Sequence, residues 1–341
     1  MLAENKKISL FKESGSIVKE INSGELVVFP ERENTDNHHI IRRKLSSQGK
    51  MGFLFSLPAF VYMIVFVGYP TVSNFILSLK NVNVYNFSRP EAQEFIGISN
   101  YIELFTDANS VMGTAIGNTL VFTVSSIFFQ FIIGFVLALL FSKKFVGSSF
   151  FRGATMISWL LPVTVAGLLF KFIFATSGGI ANQLLMQLHI INAPVDWLLN
   201  GNTAMIAIVV ANIWIGIPFN MMLLLTGLTT VPADIYESAK IDGAGKLQTL
   251  FMITIPVIKP AIMSVLTLGF VYTFKVFDLV WVMTKGGPIN ATELVSTYAY
   301  KLSFDQFEFS KGAASANILF LILFIVGMFY IKLINSEEEV M

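Results

Sequence analysis

The sequence predicts an all-α membrane protein of six transmembrane helices with its N- and C-termini in the cytosol, and three observations predict it. Of 341 residues, 54% are hydrophobic and only 13% are charged, a balance far from that of soluble globular chains. Six stretches are apolar over the roughly 20 residues that a hydrocarbon core of about 30 Å demands. Lys and Arg gather on one side of those stretches, the side that faces the cytosol.

Residues 1–50 read as a polar cytosolic tail with no apolar run before Gly52 that would serve as a signal-peptide core. His38 and His39 lack acidic or thiol neighbours at metal-ligand spacing and are read as solvated. With no Cys, disulfides and thiolate zinc sites are excluded. A net charge of +1 spread along an apolar chain makes no nucleic-acid footprint. Residues 51–341 form the membrane domain, with spans expected at 53–79, 116–141, 154–174, 203–228, 257–283 and 313–334. Pro58, Pro70, Pro162 and Pro218 fall inside spans, where a bundle tolerates them as kinks rather than breaks.

The tail, Lys332 and two loops carrying Lys143, Lys144 and Arg152, and Lys240, Lys246 and Lys259, form the basic side. The opposite side holds Lys80, Arg89, Lys285, Lys301 and Lys311. Both termini are therefore inside. The outer segments 80–115 and 175–202 are longer than tight turns and read either as surface loops or as a landing surface for an external protein.

The cytosolic loop at about 230–256 opens with a short helix. Pro232 suits its first turn, Asp234 faces the positive end of the helix dipole, Lys240 the negative end, and Gly243 stops it. Ile235, Tyr236 and Ala239 share one face, which lies on its own bundle or docks to a partner. The stretch from Ala244 through Leu250, Phe251 and Ile253 to Pro256 leads into the fifth span. Glu237, Ser238, Ala239, Gly243, Ala244, Ile253, Ile255 and Pro256 fill a pattern of Glu, two small residues, Gly, then an apolar residue and Pro. The segment resembles the EAA motif of binding-protein-dependent ABC importer permeases, with Ser238 in place of the second Ala. The likeness extends from about Gly52 to Ile334, through Leu57, Pro58, Tyr69 and Pro70, then Gly97, Ser99, Asn100 and Tyr101, then Asn118, Thr119, Arg152, Leu161 and Pro162, to Gly286, Gly287, Pro288, Thr292 and Glu293. It points to the carbohydrate-uptake branch, similar to the first permease of maltose-type and glycerol-phosphate-type systems.

That resemblance implies a type I ABC importer permease bundle in a bacterial-type cytoplasmic membrane. It implies a homologous second permease, two separate ATPase subunits that bind ATP and Mg, and an extracellular or periplasmic solute-binding protein. It places Tyr236, Glu237, Ser238, Ala239, Asp242, Gly243 and Ala244 against the ATPase, Glu237 being the charged anchor. The chain itself has no nucleotide site: Gly243, Ala244, Gly245 and Lys246 superficially match a phosphate loop, but Lys240 and Leu247 stand where Gly and Ser or Thr are required. No cofactor is expected in this chain.

For the solute path the candidates are Asn212, Trp214 and Asn220 on the fourth span and Tyr272, Lys275 and Asp278 on the fifth. Asn in spans serves interhelical hydrogen bonding as readily as a cavity. Lys275 and Asp278, three apart, are expected to pair on one helix face, leaving little positive charge for a phosphate and favouring a neutral oligosaccharide over glycerol phosphate or another polyol or sugar phosphate. Asn118 and Gln130 are weaker candidates. Asn290 and Glu293 are read as a capping box opening a short outer helix through Tyr298 and Tyr300. A membrane-embedded enzyme would need paired carboxylates or a His cluster in the spans, and His189 is the sole His beyond the tail. A self-sufficient secondary transporter would need buried coupling-ion carboxylates, for which Asp278 is the lone candidate.

Overall fold

The computed structural model describes residues 16–20, 26–30, 47–143 and 145–338; His38 and His39 lie outside them. The chain divides into two units, Met1–Met63 and Ile64–Met341. In the first, strands β1 (Ser16–Glu20) and β2 (Leu26–Pro30) form an antiparallel pair in register Ser16 to Pro30, and helix α1 covers Ser47–Met63.

In the second unit a π-helical turn at Ile64–Gly68 precedes α2 (Tyr69–Ser78), with Pro70 in the first turn where its missing N–H is harmless. There follow α3 (Ser99–Thr106), α4 (Met112–Phe141), α5 (Ser148–Leu160), α6 (Val163–Ile173), α7 (Ile180–Gln187), α8 (Gly201–Thr229) and α9 (Ala233–Ile241). The remainder comprises α10 (Lys246–Thr249), α11 (Ile255–Val257), α12 (Lys259–Phe274), α13 (Asp278–Met283), α14 (Val295–Tyr300) and α15 (Phe309–Glu338).

Among the described residues, four helical stretches are long and apolar enough to cross a membrane: Met51–Ser78, Met112–Phe141, Gly201–Thr229 and Phe309–Lys332. The expected third and fifth spans are not single helices. Pro162 ends α5 and α6 departs at 96°, while Lys246–Val257 meets Lys259–Phe274 at 70°. Pro162 sits in extended backbone at the start of α6, and the residue before a proline is pushed out of the helical region, so this proline breaks the helix. Pro218 stays inside α8 and Pro58 inside α1. The loop after α9 thus turns sharply into α12 rather than running straight into it.

Helices α4 and α8 form the central pair and run side by side in the same direction. Their approach is close because Gly134 faces Asn220: a Cβ on Gly134 would lie 2.7 Å from the Asn220 Cβ. Two apolar clusters divide α8 between them. One holds Phe122, Phe170, Ala207, Ile208, Ala211, Leu279 and Val280; the other holds Ala138, Phe141, Met221, Leu224, Leu228, Val231, Ile258 and Val265. A third, around Leu104, Met112, Val295, Tyr298 and Ala314, joins α3, the start of α4, α14 and α15. Beside it Asn317 accepts from Asn74 (2.7 Å) and donates to Ser78 (3.0 Å) and Tyr101 (3.1 Å), fastening α2 to α15.

The predicted capping box at Asn290 and Glu293 is replaced by another arrangement. Leu294 precedes α14, and its N–H is taken by the Thr297 hydroxyl at 2.9 Å. Asn290 instead lies in a turn of positive φ spanning Lys285, Gly286, Ile289 and Asn290, tied to α4 by a bond from Asn118 to its carbonyl (3.0 Å). Glu293 is fully buried, accepting from Thr297 at 2.7 Å and paired with Lys301. A carboxylate hidden from water needs such a partner, which makes this pair the keystone of the turn.

Candidate functional site

Between the two apolar clusters of α8 lies a cavity of about 380 Å³. Its wall takes Gln130 from α4, Trp159 from α5, Val163 from α6, Asn212, Gly216, Phe219 and Asn220 from α8, and Tyr272 and Thr273 from α12. Trp159 stacks on Phe219 (centroids 6.4 Å, 29°), and Phe219 meets Tyr272 edge-on (5.7 Å, 87°). Gln130 Nε2 donates to the Asn212 carbonyl at 2.9 Å, and Asn220 Nδ2 donates to the Gly216 carbonyl at 2.9 Å. Asn212 and Asn220 are 6% and 1% exposed, yet Asn212 Nδ2 and Asn220 Oδ1 have no partner. Both atoms are closed off from the cavity space as well as unpartnered, and the wall carries three rings and no ionisable group except the Tyr272 phenol. Such a wall offers rings for stacking and neutral amide side chains, and has no general acid or base of carboxylate or imidazole type.

Of the six path candidates, Asn212, Asn220 and Tyr272 line this cavity. Trp214 does not: two positions from Asn212 it points to the other side of α8 and packs on Phe170 (5.5 Å, 64°). The position seven after Asn212 returns to the same face, and it is Phe219; that spacing would have found it. Gln130 and Trp159 complete the wall, the first visible only as a polar residue in a span, the second as an aromatic just before Leu161 and Pro162. Among the described residues Lys275 and Asp278 form no ion pair. Helix α12 ends at Phe274, so the two flank a break instead of sharing a face. Asp278 is exposed in the first turn of α13, where its charge meets the helix dipole, while Lys275 Nζ lies over the Tyr272 ring, 5.3 Å from its centroid.

At the far end of α8, three residues lead to α9. Pro232 is its N-cap, Asp234 is in its first turn and Lys240 in its last. Gly243 N–H donates to the Lys240 carbonyl (3.2 Å) and Ala244 N–H to the Ala239 carbonyl (2.9 Å), a Schellman termination with Gly243 at φ +80°. Ala239 is buried, and half-buried Tyr236 packs on the cluster of Leu224, Leu228 and Val231. Glu237, Ser238, Asp242 and Gly243 face outward, Ala244 is half-buried, and exposed Ile235, Ile241, Leu247, Phe251 and Met252 join them. The face shared by Tyr236 and Ala239 thus rests on its own bundle, and the surface left for a partner is the opposite one.

Residues 130–336 match the family model described as "Binding-protein-dependent transport system inner membrane component". The probable ABC transporter permease protein YurN of Bacillus subtilis is 32% identical over 289 residues, covering 84% of this chain and 97% of that one. The trehalose/maltose transport system permease protein MalF of Thermococcus litoralis is 30% identical, covering 84% and 94%. The arabinooligosaccharides transport system permease protein AraP of Bacillus subtilis is 30% identical, covering 83% and 88%. The fold is similar to that of a chain in the crystal structure of a bacterial ABC transporter that imports the acidic polysaccharide alginate, with TM-score 0.70, 20% identity and coverage of 84% and 95%.

Proposed function

The chain belongs to the binding-protein-dependent transport inner membrane component family, and on that premise we propose that it is one of two permeases lining the path of an ATP-driven oligosaccharide importer. The cavity of Trp159, Phe219 and Tyr272, with the amide residues Gln130, Asn212 and Asn220 in its wall, carries the proposal: sugars present apolar C–H faces to rings and hydroxyls to amides. Relatives named for trehalose/maltose and arabinooligosaccharides support the class of cargo. In this reading each bent helix pair forms one crossing, which makes six, and both termini and α9 lie in the cytosol; the Lys and Arg excess on that side supports it.

The outward surface of α9 around Glu237 docks to an ATPase subunit, one of two that bind ATP and Mg. The exposed apolar side chains Ile241, Leu247, Phe251 and Met252 beside it support that docking, since an apolar patch on a basic cytosolic loop calls for a cover. A solute-binding protein delivers cargo from the outer side. Closure of the ATPase dimer then drives the bundle between inward- and outward-facing states.

A specific observation favours a second cargo reading, a sugar phosphate or polyol phosphate. Lys275, no longer neutralised by Asp278, holds its ammonium beside the cavity ring of Tyr272. Reconstitution in proteoliposomes with the second permease, the ATPase and the binding protein decides between them. ATP-dependent uptake of a neutral oligosaccharide supports the first reading, uptake of only phosphorylated sugars the second, and uptake of neither refutes both.

A further inference from the structure

Helix α8 is continuous in outline but weak at one place. Pro218 offers no N–H to the Trp214 carbonyl, and Gly216 lacks a side chain and is a poor helix former. This weak stretch lies between the two apolar clusters: Ala207, Ile208 and Ala211 belong to the first, Met221, Leu224 and Leu228 to the second. The lower part of α8 is also one packed body with α9, because Val231 and Tyr236 share its cluster. A displacement of α9 therefore reaches α8 below Pro218 and meets its first compliant point at Gly216–Pro218.

One side chain from outside the helix spans that point. The Gln130 amide occupies the space a Gly216 side chain would fill; a Cβ there would overlap its Cδ, Nε2 and Oε1. Its Nε2 holds the Asn212 carbonyl above the break at 2.9 Å, and its Oε1 faces Asn220 Nδ2 below the break at 3.5 Å. Gln130 is 3% exposed, so these bonds form away from water, where they are strongest.

We infer that α8 flexes at Gly216–Pro218 when the importer changes state and that Gln130 is a positioning residue, the latch that holds the flexure in its resting form. This rests on the transport reading above. Asn212 and Asn220 line the cavity on opposite sides of the same break, each with one buried polar atom that has no partner. A cargo that bridges them engages the flexure directly, which links occupancy to the bending of α8.

The test uses the full complex with its ATPase. Gln130→Leu keeps the volume and removes both bonds, and is expected to raise cargo-free ATP hydrolysis about tenfold, the worth of one buried hydrogen bond. Pro218→Ala restores the missing rung and is expected to lower hydrolysis. A residue that merely stabilised the fold would give neither change, since Gln130→Leu would lose complex and Pro218→Ala would leave turnover alone. Because the chain has no Cys, Val210→Cys and Thr229→Cys allow a nitroxide distance to be measured across the break, with and without trapping by ATP and vanadate. A shift on trapping, reproduced without nucleotide by Gln130→Leu, supports the latch. Wild-type hydrolysis in both variants, or one distance in both states, overturns it. If Gln130→Leu does not assemble, the Pro218→Ala rate and the wild-type distance decide. A complex that hydrolyses ATP but moves no saccharide refutes the cargo reading alone, and the flexure is still judged by these measurements.

Discussion

Replacing Lys301 by Met is expected to unfasten the outer turn. Glu293 has no solvent exposure and the Lys301 side chain retains 24%, so the substitution strands a carboxylate that keeps one hydrogen bond, from Thr297. Removing one member of a buried pair costs about 3–5 kcal/mol. For a domain of this size each kcal/mol moves the unfolding midpoint by about 2–4 °C, so the midpoint is expected to fall by on the order of 10 °C. Thermal loss of the monodisperse chain in detergent, followed by gel filtration, measures it. Lys301→Met combined with Glu293→Gln removes the stranded charge and is expected to recover most of the loss, because the penalty arises from the unpaired group rather than from the pair itself. A fall under about 2 °C for the single variant, or a double variant no better than the single, would refute the assignment of Lys301 as the partner on which Glu293 depends.

Glu237→Lys reverses charge on the outward face of α9 and is expected to abolish retention of the ATPase on membranes, scored by co-purification, with the permease still inserted. Gly243→Val forces a β-branched residue to φ +80°, at a cost of about 1–2 kcal/mol; it is expected to disorder the end of α9 and uncouple ATP hydrolysis from uptake, read as the ratio of the two rates. Tyr272→Ala removes the ring that meets Phe219 and carries Lys275, and is expected to reduce uptake roughly tenfold while ATPase assembly is unchanged. Gly134→Val is expected to prevent stable folding, because its side chain collides with Asn220 and with the Met221 backbone 3.1 Å away; normal yield would refute the close approach of α4 and α8.

The long helices were legible because hydropathy accumulates over a span: α4 and α8 begin and end within a few residues of expectation. The breaks were not. An average over 20 residues passes smoothly across Leu161 and Pro162, and whether a proline kinks or breaks depends on whether neighbours hold the two halves in line. Lys275 and Asp278 misled for a related reason: their spacing suits a helix face only while the helix lasts, and α12 stops at Phe274. Within α8 the candidates Asn212 and Asn220 stood out as polar atoms in an apolar run, and Tyr272 as an aromatic beside a charge. Phe219 is one Phe among 33 on a helix that is apolar all round, and only its spacing of seven from Asn212 marks its side. The buried role of Glu293 was invisible because its partner Lys301 belongs to the next turn of structure, and nothing in either residue announces burial.

The right-angled bend at Pro162 bears on how the chain enters its membrane. Helix α5 is about 20 Å long and α6 about 16 Å, so neither half reaches across the hydrocarbon by itself. What holds them is protein: Ala166, Gly167 and Phe170 are buried against their neighbours, and Ser158 is hidden with its hydroxyl returned to Thr155. This segment has no firm seat in lipid until α8 and α13, both made later on the ribosome, arrive to pack against it. Its insertion is therefore expected to be a late assembly step, with damage to α8 surfacing first as degradation of a half-inserted chain.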